Sequence, residues 1–270
     1  MKGSAGKIAL GVAVAVILVY LVFPVIVLLA ISFSSGNFLA FPPPGFSLRW
    51  YRAIAGNSQF IEAFWQSLWL GTLSATLAVA VTVPAAVAIA RYRFPGRQAL
   101  TAFLQAPLMI PQVVLGIAFL RFFSLVGIAG TFTGLVLGHI VVVLPFALRL
   151  TLASAVGLDR TIEHAAISLG AAPGVVVRRV ILPLILPGLV SGWALAFINS
   201  FDEVTMTVFI AGPGIETLPV RMFLYIQDNI DPLVTSVSAC VIAITVAALI
   251  GLDRAYGLER LLVGKGADGR

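Results

Sequence analysis

The sequence predicts an all-helical integral membrane protein, and three observations carry that prediction. Of 270 residues, 60% are hydrophobic and only 10% are charged, with a mean hydropathy of +1.07, so too little polar surface is present to cover a water-soluble globule. The apolar residues gather into runs long enough to span about 30 Å of hydrocarbon, which takes about 20 helical residues. The Lys and Arg residues behind the net charge of +6 stand singly between those runs. That pattern is one of topology signals, with no concentrated patch for nucleic acid.

Six apolar stretches are predicted as spans: roughly Ile8 to Ile31, Ser67 to Ala90, Leu100 to Leu120, Thr133 to Leu152, Leu184 to Ala211 and Leu233 to Leu252. The first follows Lys2 and Lys7 and so resembles a secretory signal, but it is longer than a signal's apolar core and holds Pro24 well inside, so it reads as a retained helix. Pro84, Pro107, Pro111 and Pro145 inside later stretches mark kinks and close packing. Phe119, Phe122 and Phe123 read as packing groups, and His139 as a structural histidine bonded to a neighbouring helix. The single cysteine, Cys240, has no partner for a disulfide.

An even number of spans puts both termini on one side. That side collects Lys2, Lys7, Arg91, Arg93, Arg97, Arg149, Arg160, Arg178, Arg179, Arg254, Arg260, Lys265 and Arg270, against Arg49, Arg52, Arg121 and Arg221 opposite. Positive charge is retained in the cytoplasm, so both termini are expected there. Outside lie the loop from Ser32 to Gln66, with Pro42, Pro43 and Pro44 and the interfacial Trp50 and Tyr51, and the segment "AGPGIETLPVRMFLYIQDNIDP", which has room for a short surface helix before Pro232. The cytoplasmic turn "RYRFPGR" is short and makes its flanking helices antiparallel neighbours. No internal repeat divides the chain, so residues 1–270 are expected to form one membrane-embedded domain, with residues 154–183 as its longest cytoplasmic loop.

That loop contains "IEHAAISLGAAPGVVVRRVILP". Asp159 suits an N-cap, Ile162, Ala165, Ala166 and Leu169 recur at i, i+3, i+4 and i+7, Gly170 is placed to end the helix and Pro173 to keep it from resuming. A helix of about two turns is too short to be stable alone and is expected to dock into something. The segment resembles the EAA motif of membrane subunits of ATP-binding-cassette importers: Glu-Ala-Ala, three residues, Gly, nine residues, Ile, one residue, Leu-Pro. His164-Ala165-Ala166, Gly170, Val180 and Leu182-Pro183 fall at those spacings. His164 stands where the motif has Glu, Glu163 precedes it and so points about 100° away around the helix, and Val180 replaces Ile. "GFSLRWYRAI", "SFDEVTMTVFIAGPGIETLPVRMF" and "NIDPLVTSVS" are also similar to the spermidine/putrescine-type permease subgroup.

The resemblance implies a type I importer permease of the MetI-like fold in a bacterial inner (cytoplasmic) membrane. It implies a second permease subunit, expected to be different, two copies of a cytoplasmic ATPase that binds ATP and Mg, and a periplasmic or extracellular solute-binding protein. It makes the Thr161 to Leu169 helix the coupling helix, with Glu163, His164, Ala165, Ala166, Gly170, Leu182 and Pro183 as coupling residues. The sequence agrees in lacking a G-x-x-x-x-G-K-[ST] phosphate loop, a zinc-enzyme spacing and a nucleophile elbow. The expectation is therefore a transport subunit that is not an enzyme, carries no cofactor and binds no nucleic acid. A stand-alone secondary transporter or channel is the alternative, as is a permease of the same type for an amino acid, a thiamine-like solute or a phosphonate.

Asp202 and Glu203 interrupt an apolar stretch where each carboxylate would cost about 2.5 to 3.5 kcal/mol at the bilayer centre. Either the helix emerges into water there, or at least one lines a translocation path with Asn199, Ser200 and Trp193 nearby. The i, i+3 relation to Asn199 favours Asp202 as the inward carboxylate. Two acids and the polyamine-type resemblance together point to a cationic amine.

Overall fold

The computed structural model describes residues 2–256, so the expectations placed on Arg260, Lys265 and Arg270 lie outside the described residues. The chain runs through α1 (Lys2–Ser32), α2 (Arg49–Ala55), α3 (Ser58–Arg91), α4 (Arg97–Gln105), a 3-10 turn (Ala106–Met109), α5 (Gln112–Val126) and α6 (Phe132–Gly157). It continues through α7 (Arg160–Ser168), α8 (Pro173–Val176), a π-helical turn (Val177–Ile181), α9 (Leu182–Phe201), α10 (Thr207–Ile210), α11 (Leu218–Asp228) and α12 (Leu233–Tyr256). Among the described residues β pairing is limited to two isolated bridges, Ser34 with Phe46 and Gly212 with Ile215.

Among the described residues, four helical stretches are long and apolar enough to cross a membrane: Leu10–Ser32, Ser58–Arg91, Phe132–Gly157 and Pro173–Phe201. The stretch expected as one helix from Leu100 to Leu120 is instead a pair, Arg97–Met109 and Gln112–Val126, bent by 102° at the break. Pro111 is the cause: it forces Ile110 into an extended conformation (ψ 128°) and removes an N–H at the junction. Counted as one, the pair makes a fifth candidate span, and the apolar part of α12, Leu233–Ala248, is shorter than the others. The fifth predicted stretch also shifts, because its helix starts at Pro173 and stops at Phe201, well before Ala211.

By packing density the described chain forms two compact units, residues 2–61 with Met222–Ala255, and Glu62–Arg221. In the first, the Ser32 and Tyr51 hydroxyls meet at 2.7 Å, and Ser236 donates to the Ser32 carbonyl at 2.8 Å. The Arg49 guanidinium lies 4.5 Å from the Trp50 ring centre and also bonds the Gly36 carbonyl, which orders the Pro-rich loop. The most apolar stretch of α1 buries none of its residues against the chain, and burial begins only at its end, with Ser32. Its side chains need no protein contact, since hydrocarbon is as good a solvent for them as a core.

In the second unit α6 and α9 approach closely through small residues, as membrane helices do without a hydrophobic drive between them. A Cβ at Gly188 would stand 2.3 Å from the Ser154 Cβ, and one at Gly192 3.0 Å from the Ala147 carbonyl oxygen. Ala75, Ala78, Val143, Ala147 and Ala196 fill the contact between α3, α6 and α9. A separate apolar cluster of Val87, Ala90, Ala155, Val176, Ile181 and Ile185 gathers the far ends of α3 and α6 around the start of α9. The segment α7 sits beside that cluster.

Candidate functional site

Asp159 caps α7 by accepting from the Thr161 N–H at 2.9 Å, as its sequence position suggests. That hydrogen bond, and then the Thr161 hydroxyl, hold the Asp159 carboxyl below the usual carboxylate range. The helix ends in a Schellman turn: Gly170 N–H donates to Ile167 O at 2.9 Å, Ala171 N–H to Ala166 O at 3.1 Å, and Gly170 has φ +85°. No residue of α7 is buried. Only Ala166 joins the cluster beneath, whereas Ile162, His164, Ala165, Ile167 and Leu169 are exposed, Leu169 at 89%. The exposed face thus differs from the predicted stripe, with Ala166 turned inward.

Glu163 also turns inward. Its Oε1 lies 2.6 Å from Nε of Arg91, the last residue of α3, with side-chain exposures of 14% and 6%. The same guanidinium donates to the Leu158 carbonyl at the end of α6 at 3.2 Å. Arg160 reaches back to the Ala90 carbonyl at 2.9 Å and the Arg91 carbonyl at 3.4 Å, satisfying the last acceptors of α3. Leu182 packs on the cluster beneath α7, and Pro183 follows the π-helical turn that carries the exposed Arg178 and Arg179. Pro183 cannot donate to the carbonyl four residues back, a local reason for the wider turn.

At the other end of α9 the two acids part company. Helix α9 ends at Phe201, so Asp202 is its C-cap residue and Glu203 lies beyond it, and neither sits mid-helix. Glu203 is 5% exposed, and both its oxygens are occupied: Oε1 accepts from Met206 N–H at 2.9 Å, and Oε2 accepts from Thr207 N–H at 2.8 Å and the Thr207 hydroxyl at 2.5 Å. His139, wholly buried in α6, lies 2.9 Å from Thr207 Oγ1 through Nε2 and 2.8 Å from Ser200 Oγ through Nδ1. With the Thr207 proton directed at Glu203, the network assigns the proton to Nε2 and makes Nδ1 the acceptor from Ser200.

Asp202 is exposed and opens with Asn199, Glu203 and Thr205 onto a cavity of about 280 Å³ that Gln112, the first residue of α5, also lines. Trp193 is elsewhere: it stacks on Phe197 at 5.4 Å and donates to Thr76 Oγ1 at 3.0 Å. The structure therefore brings Asp202, Asn199 and Glu203 together and leaves Trp193 in the contact between α9 and α3. Among the described residues no cluster of His, Cys, Asp or Glu could hold a metal.

Residues 80–258 match the family described as binding-protein-dependent transport system inner membrane component. The chain belongs to that family. It is 34% identical over 87% of its length, and 91% of the relative's, to the spermidine/putrescine transport system permease protein PotC of Haemophilus influenzae. It is 30% identical to the putrescine transport system permease protein PotI of Escherichia coli K12, over 89% of this chain and 87% of that one. A crystal structure of a bacterial ABC transporter that imports the acidic polysaccharide alginate superposes with TM-score 0.73 at 16% identity, covering 94% of this chain and 97% of that one. At that identity the likeness speaks for the fold alone, the all-helical fold of importer permeases. The permease is a transport subunit and not an enzyme.

Sequence reasoning passed over three residues of this permease. Arg91 carries only a topology reading in the sequence and Arg160 a general orienting one as a charge flanking the short helix, although each sits at a helix end where carbonyls lack partners. Gln112 had a local signal, since it directly follows Pro111, the residue that breaks the span.

Proposed function

We propose that this chain is the membrane permease subunit of an ATP-driven importer for a polyamine or similar cationic amine in the bacterial inner membrane. The carrying observation is the cavity at the end of α9. Its lining offers two acids, Glu203 has both oxygens committed to backbone and Thr207, and Asp202 remains as the exposed carboxylate. A carboxylate beside Asn199, Thr205 and Gln112 suits an ammonium group, whose several N–H donors can bond the carboxylate and the neighbouring amide and hydroxyl oxygens together. The spermidine and putrescine named for the relatives agree with that charge.

In this reading the 1–270 chain forms one permease domain with both termini cytoplasmic. It pairs with a second, different permease subunit, receives solute from an external binding protein, and presents α7 to two cytoplasmic ATPase subunits that bind ATP and Mg. His164, Ala165 and Gly170 would face the ATPase, whereas Glu163, Leu182 and Pro183 would seat the loop from below. Glu203 and Trp193 would shape the path without touching solute.

The test is uptake of radiolabelled spermidine or putrescine by vesicles holding the assembled complex, its binding protein and internal ATP. Asp202→Asn is expected to lower uptake about tenfold or more, the worth of one charge-assisted hydrogen bond, with assembly intact. Unchanged cation uptake in that variant overturns the site, and robust uptake of a phosphonate with none of either amine overturns the substrate class.

A further inference from the structure

We infer that Arg91 is a positioning residue for energy coupling, a strut that ties α7 to the ends of both α3 and α6. The inference rests on the reading of α7 as the ATPase-docking helix, and it concerns how motion of α7 would reach the spans. The helix buries no residue of its own, and Ala166 at its underside packs on the apolar cluster beneath. Two arginine side chains add polar attachments across helices. Arg91 joins Glu163 of α7 at 2.6 Å and the Leu158 carbonyl of α6 at 3.2 Å. Arg160 of α7 joins the Ala90 and Arg91 carbonyls of α3 at 2.9 and 3.4 Å.

The two attachments are reciprocal: an arginine from each helix grips the other helix, and both grips converge on Arg91. A displacement of α7 therefore cannot leave the end of α3 behind without separating a nearly dry ion pair. Such a pair is costly to open, because one partner's loss leaves the other charge buried and uncompensated. Links of this kind carry force only if both partners are charged and in contact, which distinguishes a strut from simple packing. The position of Glu163, one residue before the motif's usual Glu, is what turns its carboxylate toward α3 and away from the exposed face.

The test uses the full complex with its ATPase and binding protein in vesicles, comparing wild type, Arg91→Glu, Glu163→Arg, Glu163→Gln and the double reversal Arg91→Glu with Glu163→Arg. Solute taken up per ATP hydrolysed is the readout, with ATPase co-purification recorded for each variant. Each single reversal is expected to lower that ratio about tenfold, within the usual span of coupling between distant sites, while ATP hydrolysis continues. Glu163→Gln is expected to fall between, and the double reversal to recover most of the ratio. A double reversal no better than either single variant, or single variants with the wild-type ratio, overturns the strut. A wild-type complex that takes up solute without ATP overturns the importer reading itself, so the two failures are separable.

Discussion

The Thr207 hydroxyl donates to Glu203 at 2.5 Å while His139 bonds the same oxygen of Thr207 from the opposite side at 2.9 Å. Thr207 thereby joins the carboxylate that folds the chain back after α9 to a histidine buried in α6. The bond order Ser200 to His139 to Thr207 to Glu203 leaves each member satisfied, and a network in that condition rigidifies its surroundings. It explains how an acid tolerates burial there: the four-residue turn gives it two backbone N–H groups and a hydroxyl.

Glu203→Ala is expected to lower the stability of the purified permease by about 3 kcal/mol, since it strands two buried backbone donors. Thermal unfolding in detergent measures this. Glu203→Gln keeps one acceptor oxygen and is expected to cost less than half as much.

His139→Leu is expected to cost about 2 kcal/mol, because the Ser200 and Thr207 hydroxyls each lose a buried partner. The same thermal measurement applies, and combining it with Thr207→Val should give a loss smaller than the sum of the two, the sign of one shared network.

Gly170→Ala should cost about 1 to 2 kcal/mol through its left-handed backbone alone, because the space around its missing side chain is open. Gly170→Trp should therefore insert and fold like Gly170→Ala, yet fail to co-purify with the ATPase if that face is docked. His164→Glu restores the family pattern and should leave uptake unchanged.

The Asp159 cap predicts a pH effect. A carboxyl held below its ordinary value of 3.8 adds stability that is fully present above that value and is lost as pH falls through the lower, folded-state value. Protection of the Thr161 amide, taken relative to the intrinsic exchange rate at each pH, should fall as pH drops below the ordinary value, and Asp159→Asn should remove that dependence while keeping a cap.

Gly188→Leu is expected to separate α6 from α9 and abolish stable expression, whereas Gly174→Leu, in open space, should be tolerated. Detergent-extracted yield after gel filtration distinguishes the two.

The sequence by itself determined the membrane class, the helical composition and the capped, Gly-terminated α7, because these depend on composition, local periodicity and residues within one turn of each other. It also placed Asp202 beside Asn199 on one side of α9. Tertiary structure alone decided how firmly Glu203 is held: its partners lie three and four residues on, but His139 arrives from α6, 68 positions away, to bond the Thr207 hydroxyl that Glu203 accepts from. It alone joined Arg91 to Glu163, 72 positions apart by their numbers in the sequence (163 − 91). A positive charge near a helix end reads as topology until another helix brings it an anion. The physical reason is common to both cases: a charged group's role is set by which opposite charge or dipole reaches it in a low-dielectric site, and no local pattern encodes that distance.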